Sequence, residues 1–196
     1  MSLSRHSGFT LVELMITIAV AAVLLIVAIP SFQSVINSSR LTSAANEMVA
    51  AVQTARADAI RYNKRTEVCL SNNANTAAPT CAANNATDTK GWLVFVDADK
   101  SGAYNSSTDT LLRVATVHGA VSILGSNALS GKVKVLFRSD GLARDSTGGV
   151  LTGVVQMCIP SGKPENLRYV RMIGGSVVVT RATASGACAA PADNPP

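Results

Sequence analysis

The sequence predicts an α+β fold in which one long N-terminal helix packs on antiparallel β-sheet. Three observations lead there. A nearly uninterrupted apolar block runs from Phe9 to Pro30. An apolar stripe at helical spacing follows, from Leu41 to Ala59. Beyond Asn63 the pattern changes to short β-rich runs separated by Gly, Asn, Ser and Asp clusters. The chain has 196 residues, room for one ordinary globular domain plus an appendage. Its residues are 47% hydrophobic but only 4% aromatic, so the core must be built from Ala and Val rather than rings. A formal net charge of +5 permits contact with an acidic surface or nucleic acid without requiring it.

Residues 1–8, MSLSRHSG, are polar and carry Arg5 and His6. The block that follows has one ionisable side chain, Glu13. A membrane helix needs about 20 mostly apolar residues, so 9–30 is long enough to span. A cleavable secretory signal would have a shorter apolar region, about 7–15 residues, ending at a small-residue site. Here the run continues past Ala19, Ala21 and Ala22 to Ile29, and a retained helix is expected. Arg5 precedes the span and the polar bulk follows it. Positive charge stays cytoplasmic, which predicts a single-pass inner-membrane protein with its globular domain in the periplasm. Four Cys, an even number, suit that oxidising side. An acid within hydrocarbon costs a few kcal/mol and calls for a function. If the chain is cut between Gly8 and Phe9, the new ammonium on Phe9 can pair with Glu13 of a neighbouring subunit.

A second helical stretch is expected over 31–63. Leu41, Ala45, Met48, Val52, Ala55 and Ala59 recur at steps of three and four, one face of a helix, while Arg40, Glu47, Arg56, Asp58 and Arg61 lie off it. The β-rich domain is expected over 64–188. Its strands are Thr66–Leu70, Gly91–Val96, Thr110–Val117, Val133–Phe137, Val154–Ile159, Leu167–Ile173 and Ser176–Arg181. Residues 71–90 read as a long polar loop, and 189–196 as a flexible tail.

The heptapeptide G-F-T-L-V-E-L, Gly8 to Leu14, resembles the type III signal of type IV pilins and type II secretion pseudopilins. The resemblance implies that a prepilin peptidase cuts after Gly8 and methylates Phe9. It also implies that Glu13 guides filament assembly and that Pro30 is the family's helix-bending proline. G-W-L-V-F-V-D-A-D-K-S-G, Gly91 to Gly102, followed by T-L-L-R-V, resembles the GspH/FimT/FimU branch of minor pilins and pseudopilins. The function this implies is that of a minor type IV pilin near the filament tip. The alternatives are a GspH-like minor pseudopilin of a type II secretion system and a FimT-like DNA-binding minor pilin. The implied partners are other minor and major pilins or pseudopilins, the prepilin peptidase, the inner-membrane assembly platform and the membrane. Nucleic acid is a possible partner but is not favoured. The DNA-uptake members carry G-R-x-R near the C-terminus, and here Ser176 and Val178 stand where the two arginines would be.

Other motifs carry less. The simplest cysteine pairing is Cys69 with Cys81 and Cys158 with Cys188, one of three connectivities that sequence leaves open. No C-x-x-C occurs and there are two His, so zinc is not indicated. Asp97, Asp99 and Ser101 sit like the first ligands of a calcium loop, but Thr108 holds the position that requires a bidentate Glu, and a hairpin turn is expected instead. Gly125 to Lys132 imitates a phosphate loop with one residue too many between the glycines and Val after the Lys. His118 stands alone before Gly119, and no spacing pairs a nucleophile with a base, so neither catalysis nor a cofactor is expected. Lys163, Arg168, Arg171 and Arg181 are the candidate anion-binding cations, with Arg168 and Arg171 expected on opposite faces of a strand.

Overall fold

Helix α1 runs from Leu11 to Tyr62 and is followed, among the described residues, by nine strands, in a computed structural model. The structure describes residues 8–145, 147–161, 165–173, 175–182 and 186–195, with the side chains of 27–31 also outside the description. Arg5, His6 and Lys163 therefore lie outside the described residues, as does the side chain of Pro30. The chain divides into two compact units, residues 1–36 and 37–196.

In the first unit, α1 starts on a cap. Thr10 Oγ1 accepts a hydrogen bond from the Glu13 N–H at 3.2 Å, and Thr10 O accepts one from the Leu14 N–H at 3.2 Å. Thr three residues before Glu is the capping-box spacing. The backbone stays helical through Pro30. All described side chains from Gly8 to Ile26 are exposed, Phe9 at 79%. Among the described residues no helix is long and apolar enough to cross a membrane. The span expected over 9–30 falls partly on 27–31, whose side chains are outside the description.

In the second unit, every residue of the expected stripe is buried, from Leu41 to Ala59, joined by Ala44 and Ala51. Alanine dominates this face, so the helix backbone can approach the sheets closely.

The strands form two sheets, both antiparallel as expected. The first has the order β3-β2-β1-β5-β6, and the second β4-β7-β8-β9. The strands of the first are β1 Thr66–Ser71, β2 Gly91–Val96, β3 Thr110–Thr116, β5 Lys134–Phe137 and β6 Ala143–Arg144. Those of the second are β4 Ser122–Gly125, β7 Thr152–Cys158, β8 Leu167–Ile173 and β9 Ser176–Ala182. Strands β4 and β6 are the two that the residue pattern did not mark, being four and two residues long. One apolar cluster joins the α1 stripe to both sheets, through Val68, Val94, Val135 and Phe137 on one side and Ile123, Val155, Met157 and Val170 on the other.

Each sheet also has a covered outer face. Cys69, Leu93 and Phe95 alternate with the core-facing residues and pack against Ala74, Cys81 and Tyr104. This explains why β1 and β2 are buried throughout rather than alternately. The polar loop after β1 is thus a cover, tied down by the Cys69–Cys81 disulfide and by Ser71 Oγ donating to Thr80 O at 2.7 Å. On the second sheet Leu124, Cys158 and Leu167 face outward against Cys188. The segment expected to be a flexible tail lies here. Cys188 is bonded to Cys158, Ala189 O accepts from Gln156 Nε2 at 2.9 Å, and Asp193 Oδ1 accepts from the Ala128 N–H at 2.6 Å. Pro191 and Pro195 are buried. The tail is held because it covers apolar surface that the sheet would otherwise expose.

Candidate functional site

The N-terminal candidates lie close together on one short stretch. Gly8, Phe9 and Glu13 are all exposed, and nothing lies within 4 Å of where a Cβ on Gly8 would be. Glu13 sits in the first turn of α1, where the helix macrodipole favours negative charge. The same residue that the sequence marks as an assembly acid therefore also suits the local helix start. Leu11, Val12, Leu14, Met15 and Ile16 around it are uncovered. So much bare apolar surface on one helix needs lipid or other helices against it.

The Asp97–Gly102 turn is built from carboxylates holding backbone donors. Asp97 Oδ1 accepts from the Ser101 N–H at 3.1 Å and Asp97 Oδ2 from the Gly102 N–H at 3.1 Å. Asp99 accepts from the Ser101 N–H at 2.9 Å and from Thr108 Oγ1 at 3.0 Å. These bonds, those from Ser101 above all, hold the Asp99 carboxyl down to about 2. Ser101 uses its hydroxyl to donate to Ala103 O at 3.0 Å. The third acid here is Asp109, with Asp97, Asp99 and Asp109 oxygens within 4.8 Å of one another. Asp109 is occupied as well, by the Ala98 N–H at 3.0 Å and the Asn105 N–H at 2.9 Å. Nothing in the residue spacing marked Asp109, which lies across the loop on the approach to β3. The arrangement is that of a tied hairpin connection.

Arg65 anchors this turn to the sheet. Its Nε lies 2.9 Å from both Glu67 Oε1 and Asp97 Oδ2, and its Nη2 also meets Glu67 Oε1. Burial pushes both carboxyls up, and Arg65 pulls them back down. Beside it opens a cleft of about 440 Å³ lined by Lys64, Lys100 and Arg138, all exposed.

The C-terminal arginines do not form one patch. Arg168 is corrected from a candidate anion contact to a buried structural residue, 1% exposed. Its Nη1 donates to Glu165 O and Leu167 O at 2.8 Å, and its Nη2 donates to Ser38 Oγ at 2.8 Å. It therefore ties β8 to α1. Burial lowers its pKa, with Arg181 adding to the effect. Arg171 faces the other side, as the odd spacing requires, and donates through Nη2 to Pro195 O. Arg181 is exposed, 3.4 Å from Glu165 Oε2. Ser176 and Val178 are also exposed, so arginines there would reach solvent.

Two protein-family models match the chain. The model described as the prokaryotic N-terminal methylation motif covers residues 3–29, and the one described as type II transport protein GspH covers residues 44–176. The second takes in about two thirds of the chain. The chain belongs to the GspH family. It is thereby a minor pilin or pseudopilin, with the helix-on-sheets fold described above. No curated protein and no solved structure matches it.

Proposed function

We propose that this GspH-family chain is a minor type IV pilin that joins the initiating or tip complex of the pilus and works by packing, not catalysis. The observation that carries this is a bare apolar helix start with one exposed acid, Glu13, directly after a Gly–Phe junction. Cleavage between Gly8 and Phe9 frees the ammonium that Glu13 of an adjacent subunit neutralises. The apolar part of α1 anchors the subunit in the inner membrane before assembly and enters the helix bundle afterwards. The disulfide-bonded domain meets the other minor subunits.

The test is Glu13→Ala followed in membrane and sheared-filament fractions. Membrane insertion should persist, while incorporation should fall by tenfold or more. Undiminished incorporation would remove the basis for the Glu13 pairing. A second reading, a minor pseudopilin of a type II secretion system, is supported by the name of the matching family. Deleting the chain separates the two: loss of pili with normal exoprotein release supports the pilus, and the reverse supports secretion. The DNA-uptake reading is weakened by the burial of Arg168 and by the partners of Arg171 and Arg181.

A further inference from the structure

Among the described residues, two open sheets present four edges, and three of them are blunted. Strand β6 is two residues long. Strand β4 is four residues long and is covered by Thr89, which exchanges backbone bonds with Ile123 at 3.2 and 3.0 Å. Strand β3 is longer, but its pairing to β2 is broken by a register shift at Val94/Phe95, and it carries Arg113 mid-strand. Short length, cover, bulges and charge are the devices that keep sheet edges from recruiting other strands.

Among the described residues, strand β9 has none of these over most of its length. It pairs with β8 in unbroken register over all seven residues, from Ile173↔Ser176 to Leu167↔Ala182. Its sequence is S-V-V-V-T-R-A, without Pro or Lys, and its one charge, Arg181, is next to last. Val178 is 49% exposed and Val179 38%, on opposite faces of the strand. The hairpin is anchored, with Arg56 Nη1 donating to Gly175 O at 2.7 Å. In an antiparallel pair, backbone groups point alternately toward the partner and away from it. Ile159 N–H donates to Asn166 O at 3.1 Å, so Asn166, Arg168, Val170 and Met172 bond toward β7, and the alternate residues Leu167, Tyr169, Arg171 and Ile173 bond to Ala182, Thr180, Val178 and Ser176 of β9. Val177, Val179 and Arg181 therefore turn their N–H and C=O groups outward, as a preformed row.

We propose that β9 is a docking edge that receives an extended strand from the globular domain of another pilin-class subunit. The inference rests on the filament-subunit reading above. The row of backbone donors and acceptors, unfilled among the described residues, selects an extended backbone, and the flanking valines select apolar, β-branched neighbours over charged ones. The occupant is a different subunit rather than a second copy. The other edges of a copy are blunted, and β9 against β9 would pair antiparallel across a two-fold axis, which subunits stacked in one direction along a filament do not share.

The test uses the full chain in its native cell envelope. A photo-reactive residue is placed at Val178 or Val179 and, as control, at Arg113 on β3. Cross-linked peptides are identified by mass spectrometry, and incorporation is scored in sheared filaments. The expected result is a cross-link from β9 to a strand peptide of another pilin-class subunit, at least tenfold above that from Arg113. The pair Val178→Lys and Val179→Lys should cut this yield and incorporation at least tenfold without lowering Tm. Incorporation without a β9 cross-link, or with equal yield from β3, overturns the proposal and leaves the filament reading intact. Cross-links only between copies overturn the choice of occupant. Absence from both filament and secretion apparatus overturns the filament reading and the proposal with it.

Discussion

Replacing Arg65 by Ala should destabilise the globular unit more at neutral pH than in acid. Arg65 is the shared cation of Glu67 and Asp97, whose side chains are 2% and 0% exposed while its own is 27% exposed. Removing one partner of a buried ion pair costs about 3–5 kcal/mol. Water reaches part of the guanidinium, which puts the expected loss near the lower end, about 3 kcal/mol. At this chain size 1 kcal/mol shifts Tm by about 2–4 °C, so Tm should fall by about 6–12 °C at pH 7.5. Burial already raises both carboxyls, and Arg65 opposes that rise, so its loss raises them further. A carboxyl whose folded pKa is raised holds its proton more tightly when folded than when unfolded. The cost is therefore full above the folded pKa and is relieved as pH falls through it toward the ordinary value of about 4. The deficit should be smaller at pH 4.5 than at pH 7.5, and Glu67→Gln in the Arg65→Ala background should restore part of it at neutral pH. Urea unfolding of residues 37–196, which hold their own core, measures this at each pH. A Tm loss under about 2 °C at pH 7.5, or a deficit that does not change with pH, would refute the account of Arg65 as the shared counter-ion.

Two further outcomes follow from the second sheet. Changing Cys158 and Cys188 together to Ser opens a link across 30 residues, and the chain-entropy model puts the loss at about 3.5 kcal/mol. Protease cutting within 187–195 should accelerate in the same variant, and unchanged urea unfolding would show that the remaining tail contacts suffice. Arg168→Ala should cost about 2–3 kcal/mol in urea unfolding, because Ser38 and two carbonyls lose their donor, whereas Arg181→Ala should change stability by about 1 kcal/mol or less. Equal effects at the two positions would contradict the burial of Arg168.

Helical order was the most legible part of the sequence. The stripe from Leu41 to Ala59 marks its buried face directly, because a 3.6-residue period leaves a signal over many turns. The seven expected strands are present, with their ends shifted by two residues or fewer. The missed strands, β4 and β6, are too short for an alternating pattern to register. The division into two sheets was hidden because it depends on which strands pair, and β1 takes β5 as a partner from more than sixty residues away. At the N-terminus the order of Gly8, Phe9 and Glu13 along the chain is itself the motif, and the methylation-motif match takes in all three. At the C-terminus charge type alone was misleading. Arg168 reads as a surface cation in the sequence, and only the proximity of Ser38, 130 residues earlier, turns it into an internal tie.

The shared core also dictates an order of events as the chain is made. The helical stripe is complete once Ala59 has been synthesised, yet the cluster that covers it draws on Val170 and Met172. Until β8 has been made the chain therefore carries an apolar helix face with part of its cover still missing. N-terminal segments emerge first, and exposed apolar surface is what chaperones and proteases recognise. Chains that stop before β8 cannot close that core, and the apolar helix face they leave open makes them prone to aggregate in a way the finished subunit is not.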